Sequence, residues 1–374
     1  MSVPFEKFSS CGNNFIIVDE RLECHIPEYE KGDFARQVTD GNFGIGADGF
    51  IVLQPCTPQI LLEINNNWHY WEQLPVSNGV GYIFRMFEPT GQESLCCGNG
   101  LLCVAEYVHH TSGVTACNIL TEIPGNQPVI RTLGYDADKQ QVWVNMGTPD
   151  KIPIHLAHPE AVMITPPDLH GARFEIPLHQ LPGICPPVNQ ERLSFTGYLV
   201  FSGEPHLVIL LDAGENHDSC DPVTGLSNIL EQKIFVFETD PFHAIGRYFN
   251  NRLRDVFPLG INVNIVKINE TTRVVEQRCF ERGIEKETLA CGTGMVASAY
   301  TLHALGMIQS DTTFIHPLKC RSYRPETCVC IERRHARYVM YGKPVWICTG
   351  LFHQAERQTG FSSLPQGKKM GVEV

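Results

Sequence analysis

The sequence predicts an α+β fold built from two similar, pseudo-symmetric halves. Short β-type runs dominate along the chain, whereas patterns typical of helices are few. A glycine-rich motif, ESLCCGNG at 93–100, recurs near the other end as ETLACGTG at 287–294. Strand-rich halves with a few helices are typical of the α+β class, and the recurring motif indicates that one unit occurs twice.

Eight runs carry the strand pattern, four in each half. They are FIIVD (15–19), GFIVL (49–53), GYIFRMF (81–87), QVWVNM (141–146), YLVF (198–201), HLVILLD (206–212), NVNIVKI (262–268) and RVVEQRCF (273–280). Helical patterns lie at 101–110, 242–255 and 295–306. We expect insertions at 55–78 and at about 149–195, and a flexible polar tail from about 356.

Length and composition limit the classes of protein to consider. A chain of 374 residues suffices for two substantial domains. The formal charge of −12 includes no basic run, which argues against nucleic acid as a partner. No apolar stretch approaches the length of a membrane span, and MSVPFEKFSS lacks the apolar core of a secretory signal. We therefore expect a cytoplasmic protein with no membrane partner.

The chain contains fifteen cysteines, a high and odd number. Because no secretory signal indicates an oxidising compartment, we expect mostly buried thiols rather than disulfides. A zinc site at Cys320, Cys328, Cys330 and His335 is the alternative. That segment alternates like a strand and has no C-x-x-C pair, so we predict no metal there or elsewhere.

The two glycine-rich motifs match at a constant offset. The matching residues are Glu93, Leu95, Cys97, Gly98 and Gly100 with Glu287, Leu289, Cys291, Gly292 and Gly294. Each motif precedes an apolar, Ala-containing stretch, which predicts a turn that opens a helix. A second repeat relates CGNNFIIVD (11–19) to SGEPHLVIL (202–210). Each half would thus supply one cysteine turn and one Gly-containing loop.

A cysteine at a helix N-terminus suggests proton-transfer chemistry. Free N–H groups and the helix dipole stabilise a thiolate, so the thiol pKa is expected to fall toward neutrality. The same N–H groups can bind a carboxylate and its extra charge when the α-carbon loses a proton. Two such turns around one carboxylate would permit racemisation, one thiolate removing the proton and the opposing thiol delivering another. No cofactor motif is present, and none is expected.

Two other readings of the cysteines remain open. Cys97 and Cys291 could be small residues beside tight turns, although their recurrence within matched motifs argues against coincidence. They could also form a redox pair, but redox dithiols more often occur as C-x-x-C.

At this point the chain resembles the diaminopimelate epimerase family, which consists of cofactor-independent amino-acid racemases. The matching motifs are KFSSCGNNF (7–15), GIGADGF (44–50), FEPTGQESLCCGNG (87–100), GEPH (203–206), GINV (260–263), FERGIEKETLACGTG (280–294) and YGKPVWICTG (341–350). The resemblance implies two domains, each a barrel-like sheet around a central helix, with the active site in the cleft between them. We place the domains at 1–132 and 133–344, with a closing strand near 345–352 that returns to the first domain and a tail at 355–374.

The resemblance also implies roles for individual residues. It makes Cys97 and Cys291 the acid/base pair. The residues implied to bind the α-carboxylate are Gly98, Asn99, Gly292 and Thr293. Other positions that match the family's pocket are Asn13, Asn262, Glu281 and Arg282. His206 and Glu281 would lie close to the thiols and influence their protonation.

Two departures from the family pattern concern the substrate. Glu88 and Glu204 stand where the family usually has asparagines that help hold the distal end of diaminopimelate. Two carboxylates there would repel a distal carboxylate and favour a positive charge. We therefore expect a basic side chain: histidine, ornithine, lysine or arginine. Arg282, which the family uses to grip the distal carboxylate, is retained and would have to be neutralised by Glu88 or Glu204.

Alternative functions remain at this stage. Diaminopimelate itself is the first, because Arg282 is present. The second is a non-catalytic amino-acid-binding or redox-regulated protein on the same scaffold. A proline-type substrate is disfavoured by the ERG and GEPH motifs. The expected partner is a small-molecule amino acid, and a homodimer is a candidate assembly because related enzymes often form one.

Overall fold

A computed structural model describes residues 2–125, 127–153, 156, 169, 171–181, 191–211, 241–269 and 271–353. Within these residues the strands are β1 Ser2–Ser10, β2 Asn13–Asp19, β3 Gly49–Pro55, β4 Tyr82–Phe87, β5 Glu93–Ser94, β6 Ala116–Thr121, β7 Val129–Asp136, β8 Gln141–Gly147, β9 Ala172–Pro177, β10 Arg192–Phe201, β11 Pro205–Leu211, β12 Asn262–Ile268, β13 Val275–Glu281, β14 Lys286–Glu287, β15 Thr312–Pro317, β16 Val329–Arg334, β17 Arg337–Gly342 and β18 Val345–His353. The helices are α1 Lys31–Thr39, α2 Pro58–Trp68, α3 Gly98–Ser112, α4 Pro241–Arg252, α5 Gly292–Ala304 and α6 Leu318–Arg321.

The strand-rich composition of these elements confirms the predicted α+β class. Within the described residues each of the eight predicted strand runs overlaps an observed strand, and NVNIVKI coincides with β12. The three predicted helices correspond to α3, α4 and α5, whereas α1, α2 and α6 were not anticipated.

The strands pair in a single order that repeats between the halves. In the first half the strand order is β1–β2–β3–β4–β6–β7–β8, in which the pairs β2–β3 and β4–β6 are parallel. The short strand β5 pairs with β4. In the second half β10–β11–β12–β13–β15–β16–β17 repeats the same sequence of orientations. The halves join where β8 pairs with β17. Each half has one extra antiparallel strand, β18 on β1 and β9 on β10.

One helix occupies the inner side of each half. Helix α3 packs against β1, β2, β7 and β8, and α5 packs against β10, β11, β12, β16 and β17. Buried side chains from both helices belong to one continuous apolar core. Each large apolar side chain buried there contributes about 1.5–3 kcal/mol. This core therefore holds the two helix N-termini in one place.

The first insertion forms a helix on the outside of the first half. Thr57 accepts a hydrogen bond from the Ile60 N–H and caps α2, whose first residue is a proline, as helix starts favour. After the helix, the Trp71 Nε1–H donates to the carbonyls of Ile123 and Gly125. The second insertion, 149–195, lies partly outside the described residues.

The division into domains stays a prediction. The expected boundary between 132 and 133 falls inside β7, and β18 pairs with β1 as the expected closing strand would. The predicted tail at 355–374 lies outside the described residues. No helix among the described residues is long and apolar enough to cross a bilayer. The cysteines in this part of the chain are unpaired, and six of them are buried.

Candidate active site

The two thiols of the repeat, Cys97 and Cys291, both cap helices. Cys97 is the N-cap residue of α3, and its Sγ accepts a hydrogen bond from the Gly100 N–H at 3.4 Å. Cys291 caps α5 in the same manner, with Sγ 3.4 Å from the Gly294 nitrogen. Each cysteine has extended backbone angles, as an N-cap residue requires. The predicted turn-to-helix placement of both thiols is therefore what the structure contains.

The two helix N-termini touch through their glycines. A Cβ added at Gly98 would lie 3.2 Å from the Gly292 Cα, and one added at Gly292 would lie 3.0 Å from the Asn99 nitrogen. Any larger residue would push the two backbones apart. The first N–H groups of a helix have no partner within it, so this contact brings two sets of free donors together. Such a pair of N-termini is suited to a carboxylate.

The expected fall of the thiol pKa toward neutrality is not what the surroundings of Cys97 produce. Burial raises the pKa of this thiol well above its usual range, and the Gly100 N–H only partly lowers it. The nearby Glu281 carboxylate and Cys291 raise it further. Loss of hydration therefore outweighs the helix N-terminus, which was the only effect considered from the sequence.

Glu281 lies beside the second thiol. A carboxyl oxygen of Glu281 lies within 4.8 Å of Cys291 Sγ, and the carboxyl group accepts a hydrogen bond from the Thr288 hydroxyl. Burial raises the pKa of Glu281 to about 7, against the lowering effect of Thr288 and Cys291. A carboxyl group with a pKa near 7 exists in both protonation states at neutral pH, so Glu281 can exchange protons with the adjacent thiol.

His206 reaches Cys291 through one intervening hydroxyl. His206 Nε2 is 3.0 Å from Thr293 Oγ1, which is in turn 3.4 Å from Cys291 Sγ. Burial, with a smaller effect of Arg282, lowers the pKa of His206 to about 3, so the imidazole is neutral. Asn264 Nδ2 contacts its other ring nitrogen at 2.9 Å. The sequence-based expectation that His206 lies near the thiols thus holds for Cys291.

Asn13 and Asn262 hold other parts of the site in place. Asn99 Nδ2 donates to Asn13 Oδ1 at 3.2 Å and to the Ala290 carbonyl at 3.1 Å, which links the two halves. Asn262 is buried, and its Oδ1 accepts a hydrogen bond from the Arg282 backbone N–H at 2.9 Å. Both asparagines therefore support neighbouring site residues.

Glu204 pairs with Arg282. The Arg282 Nε donates to Glu204 Oε2 at 2.9 Å, and Nη2 donates to the same oxygen. The two side chains are only 12–15% exposed. Burial raises the pKa of Glu204, whereas Arg282 lowers it. Glu88, the other candidate for this bridge, instead accepts a hydrogen bond from the Ser94 hydroxyl at 3.1 Å.

Among the described residues, the donor atoms of Cys279, Glu281 and Cys291 have a spacing that a metal ion could bridge, within 4.8 Å of one another. An ion there would occupy Cys291 and Glu281 and block proton transfer between them. We therefore assign no metal. The zinc alternative considered from the sequence, Cys320 with its neighbours, does not form such a group within the described residues.

Several polar residues of the site escaped the reading of the sequence. They are Ser202, Asn264, Gln277, Cys279 and Thr288. Asn264 and Gln277 are fully buried polar residues on strands β12 and β13. For Asn264 the signal is visible in NVNIVKI, where a second asparagine interrupts a largely apolar run, because buried amides are uncommon without a specific partner.

Comparisons with known proteins show which family this chain resembles over most of its length. The family model described as diaminopimelate epimerase matches residues 5–152. The chain is 30% identical to a diaminopimelate epimerase of Methanothrix thermoacetophila over 308 residues, 82% of this chain and 83% of the relative. It is 27% identical to a diaminopimelate epimerase of Archaeoglobus fulgidus over 322 residues, which cover 84% of this chain and 86% of the relative. A solved hydroxyproline epimerase from Agrobacterium vitis has a TM-score of 0.52 at 11% identity, covering 94% of this chain and 92% of that one, a likeness of fold alone.

Proposed function

Because the chain belongs to the diaminopimelate epimerase family, and is therefore an isomerase of the racemase and epimerase class that acts on a small amino acid, we propose that Cys97 and Cys291 invert the α-carbon of that substrate. One thiolate removes the α-proton, and the opposite thiol delivers a proton to the other face. The contact between the two helix N-termini supports this role, because both thiols and both sets of N–H donors converge there.

In this proposal the α-carboxylate lies between the helix N-termini. The first-turn residues that would donate to it are Gly98, Asn99, Gly292 and Thr293. Their N–H groups would also stabilise the negative charge that develops when the α-proton leaves. No cofactor is needed for this reaction scheme, since the charge is held by the protein's own donors.

We propose that the substrate carries a basic side chain, as in histidine, ornithine, lysine or arginine. The observation that carries this proposal is the pairing of Arg282 with Glu204, in which two guanidinium nitrogens donate to one carboxylate oxygen. An arginine committed in this way is not available to grip a distal carboxylate. Its charge is offset locally, so its presence no longer argues for an anionic side chain.

The remaining charges favour a cation. Glu88 lies close enough to Glu204 to raise that residue's pKa, and it has no cationic partner among the ion pairs of the described residues. Glu88, Glu204 and Arg282 together leave one net negative charge. Placing a substrate ammonium or imidazolium in this part of the cleft would neutralise that charge, whereas a carboxylate would be repelled.

Diaminopimelate is the second candidate substrate. It is favoured by the names of the relatives, which are diaminopimelate epimerases at 27–30% identity across most of both chains. A modest movement of Glu204 would free Arg282 for a distal carboxylate. This candidate differs from the first in carrying a distal carboxylate beside its distal ammonium group, and that difference makes the two separable in one assay.

The test is α-proton exchange and inversion in deuterated buffer with reductant present. The panel contains both enantiomers of the basic amino acids and the stereoisomers of diaminopimelate. The proteins are the wild type, Cys97→Ala, Cys291→Ala and, as a matched control, Cys330→Ala, which removes a half-buried thiol of β16. We expect inversion of one basic amino acid, lost in both active-site variants and retained in the control.

Two other outcomes are informative. Exclusive turnover of diaminopimelate would contradict the basic-substrate proposal while leaving the two-thiol mechanism in place. Inversion that survives the loss of either thiol would overturn the mechanism itself. No turnover of any panel member would point to the remaining alternative from the sequence, a binding protein on the same scaffold.

A further inference from the structure

The side chains that pack beneath the turn after Cys97, which we call its floor, are the apolar residues Ile51, Phe84 and Phe15. In the first half, the turn that follows Cys97 packs against strands β3 and β4. A Cβ added at Gly100 would lie 3.2 Å from Ile51 Cδ1 and 3.3 Å from Phe84 Cζ. Phe15 on the neighbouring strand β2 is likewise buried. Because these three side chains are apolar, none of them can donate a hydrogen bond to the Cys97 thiol.

The floor beneath Cys291 occupies the same places in the repeat but is polar. A Cβ added at Gly294 would overlap Asn264 Oδ1 and lie 3.2 Å from Gln277 Nε2. The strand register agrees with this equivalence: β11 pairs with β12 in parallel as β2 pairs with β3, and it places His206 opposite Asn262 as Phe15 is placed opposite Gly49. Asn264, Gln277 and His206 thus stand where the first half has Ile51, Phe84 and Phe15.

These polar residues form one directed chain of hydrogen bonds. Gln277 Nε2 donates to Asn264 Oδ1 at 3.2 Å, and Asn264 Nδ2 donates to His206 Nδ1 at 2.9 Å. A neutral imidazole that accepts at Nδ1 carries its hydrogen on Nε2, which then donates to Thr293 Oγ1. The Thr293 hydroxyl hydrogen is left to point at Cys291 Sγ, 3.4 Å away.

We propose that Asn264 and Gln277 are positioning residues that act through His206 and Thr293 to make Cys291 the thiolate of the resting enzyme, with Cys97 as the thiol. This inference rests on the proton-transfer roles proposed above for the two cysteines. A two-base racemase needs one base and one acid at the start of each turnover, since two thiolates side by side repel each other. The floor is polar beneath Cys291 and apolar beneath Cys97, and this difference distinguishes the base from the acid.

Packing alone does not account for the polar residues. Burying amides and an imidazole costs free energy unless every group is paired, and Gln277 Oε1 has no hydrogen-bond partner among the described residues. The first half fills the equivalent space with Ile51, Phe84 and Phe15, so the fold tolerates an apolar floor. The polar set is therefore explained by what it does to Cys291.

The test measures thiol reactivity and needs no substrate. Wild type, Asn264→Leu and Gln277→Met are alkylated with iodoacetamide over a pH series, and the rates at Cys97 and Cys291 are separated by peptide mass spectrometry. Ile51→Val, at the equivalent place beneath Cys97, is the matched control. In the wild type we expect Cys291 to react at lower pH than Cys97.

In both floor variants we expect alkylation of Cys291 near neutral pH to slow about tenfold, because the thiolate is no longer stabilised by a hydrogen bond from the Thr293 hydroxyl. Cys97 should be unchanged in these variants, and Ile51→Val should leave Cys291 unchanged. The other titratable groups facing Cys291 are Cys97, Cys279 and Glu281, with Glu287 and Lys319 lining the cavity behind it, and all stay in place.

A purely structural role for the chain would give a different result. It would lower the thermal unfolding midpoint without moving the pH profile of Cys291, and that outcome would overturn the inference. A wild type in which Cys97 reacts at lower pH would overturn it as well. Gln277→Met preserves side-chain length, so it keeps the test valid if Asn264→Leu folds poorly. A silent substrate panel would not affect these alkylation rates, which separates this inference from the proposed function.

Discussion

Replacing Glu204 by Gln should remove the preference of the cleft for a cationic side chain. The substitution keeps the shape of the residue and removes the carboxylate that engages the Arg282 guanidinium, with Nε at 2.9 Å. Arg282 would then be free to bind a distal carboxylate, and the local charge would change from about −1 to about 0. The variant should therefore lose efficiency with a basic substrate and gain it with diaminopimelate.

The magnitude follows from the burial of the pair. Both side chains are at most 15% exposed, so an effective dielectric of about 20 applies rather than that of water. A substrate cation about 6 Å from the Glu204 carboxylate would interact with it by about 3 kcal/mol. Losing that interaction should lower kcat/KM for the basic substrate by about 100-fold.

The assay compares kcat/KM for the basic substrate and for diaminopimelate in the wild type, Glu204→Gln and Glu88→Gln. Glu175→Gln removes a charge from an exposed pair with Arg192 and serves as the control. We expect Glu88→Gln to lower the basic-substrate efficiency as well, without releasing Arg282. If Glu204→Gln leaves the basic-substrate kcat/KM within threefold of the wild type, the charge argument is refuted.

Three further predictions concern the scaffold. Gly292→Ala should separate the helix N-termini at Gly98 and reduce kcat at least about 100-fold, measured by substrate inversion, while secondary structure by circular dichroism stays intact. Lys31→Met should cost about 3–5 kcal/mol in urea unfolding, because Glu20, 2.7 Å from Lys31 Nζ and equally buried, loses its cation; a cost under 1 kcal/mol would contradict this. The contribution of His206 to stability should fall as the pH drops from about 6.5 toward 3, by about 2 kcal/mol at pH 5, because the unfolded chain protonates His206 while the folded protein, with its pKa about 3, does not. Because burial raises the pKa of Glu281 to about 7, that carboxyl group contributes with the opposite sign, and the measurement is therefore the difference in free energy of unfolding between wild type and His206→Gln over this pH range. That loss should be absent in His206→Gln.

The repeat made much of the fold predictable from the sequence. The strand pattern identifies runs such as GFIVL because apolar residues fill both faces of a buried strand. The match between Cys97 and Cys291 placed both thiols at helix starts. By contrast, α2 lies within a stretch that lacks the pattern of the repeat and was expected to be an insertion. Its helix start is nevertheless indicated by Thr57 as the N-cap residue and Pro58 as the first helical residue.

The candidate site was predictable in composition but less so in its connections. The acidic residues Glu88 and Glu204 and the cation Arg282 were identified, but their spacing in sequence could not decide which acid pairs with Arg282. The raised pKa of Cys97 was missed because it depends on burial, which only the assembled core produces. The polar floor beneath Cys291 required the strand register between β11 and β12, a long-range feature.

The pairing of β1 with β18 has a consequence for how the protein is made. Ser2 lies opposite His353 across this pair, so the partner of Ser2 on β18 is synthesised 351 residues after it. At about 5–20 residues per second, the intervening chain takes roughly 20 to 70 s to emerge from a ribosome. During that interval the outer edge of β1 is open to any strand that meets it. The edge of β1 thus stays uncovered by its own partner until β18 has been synthesised.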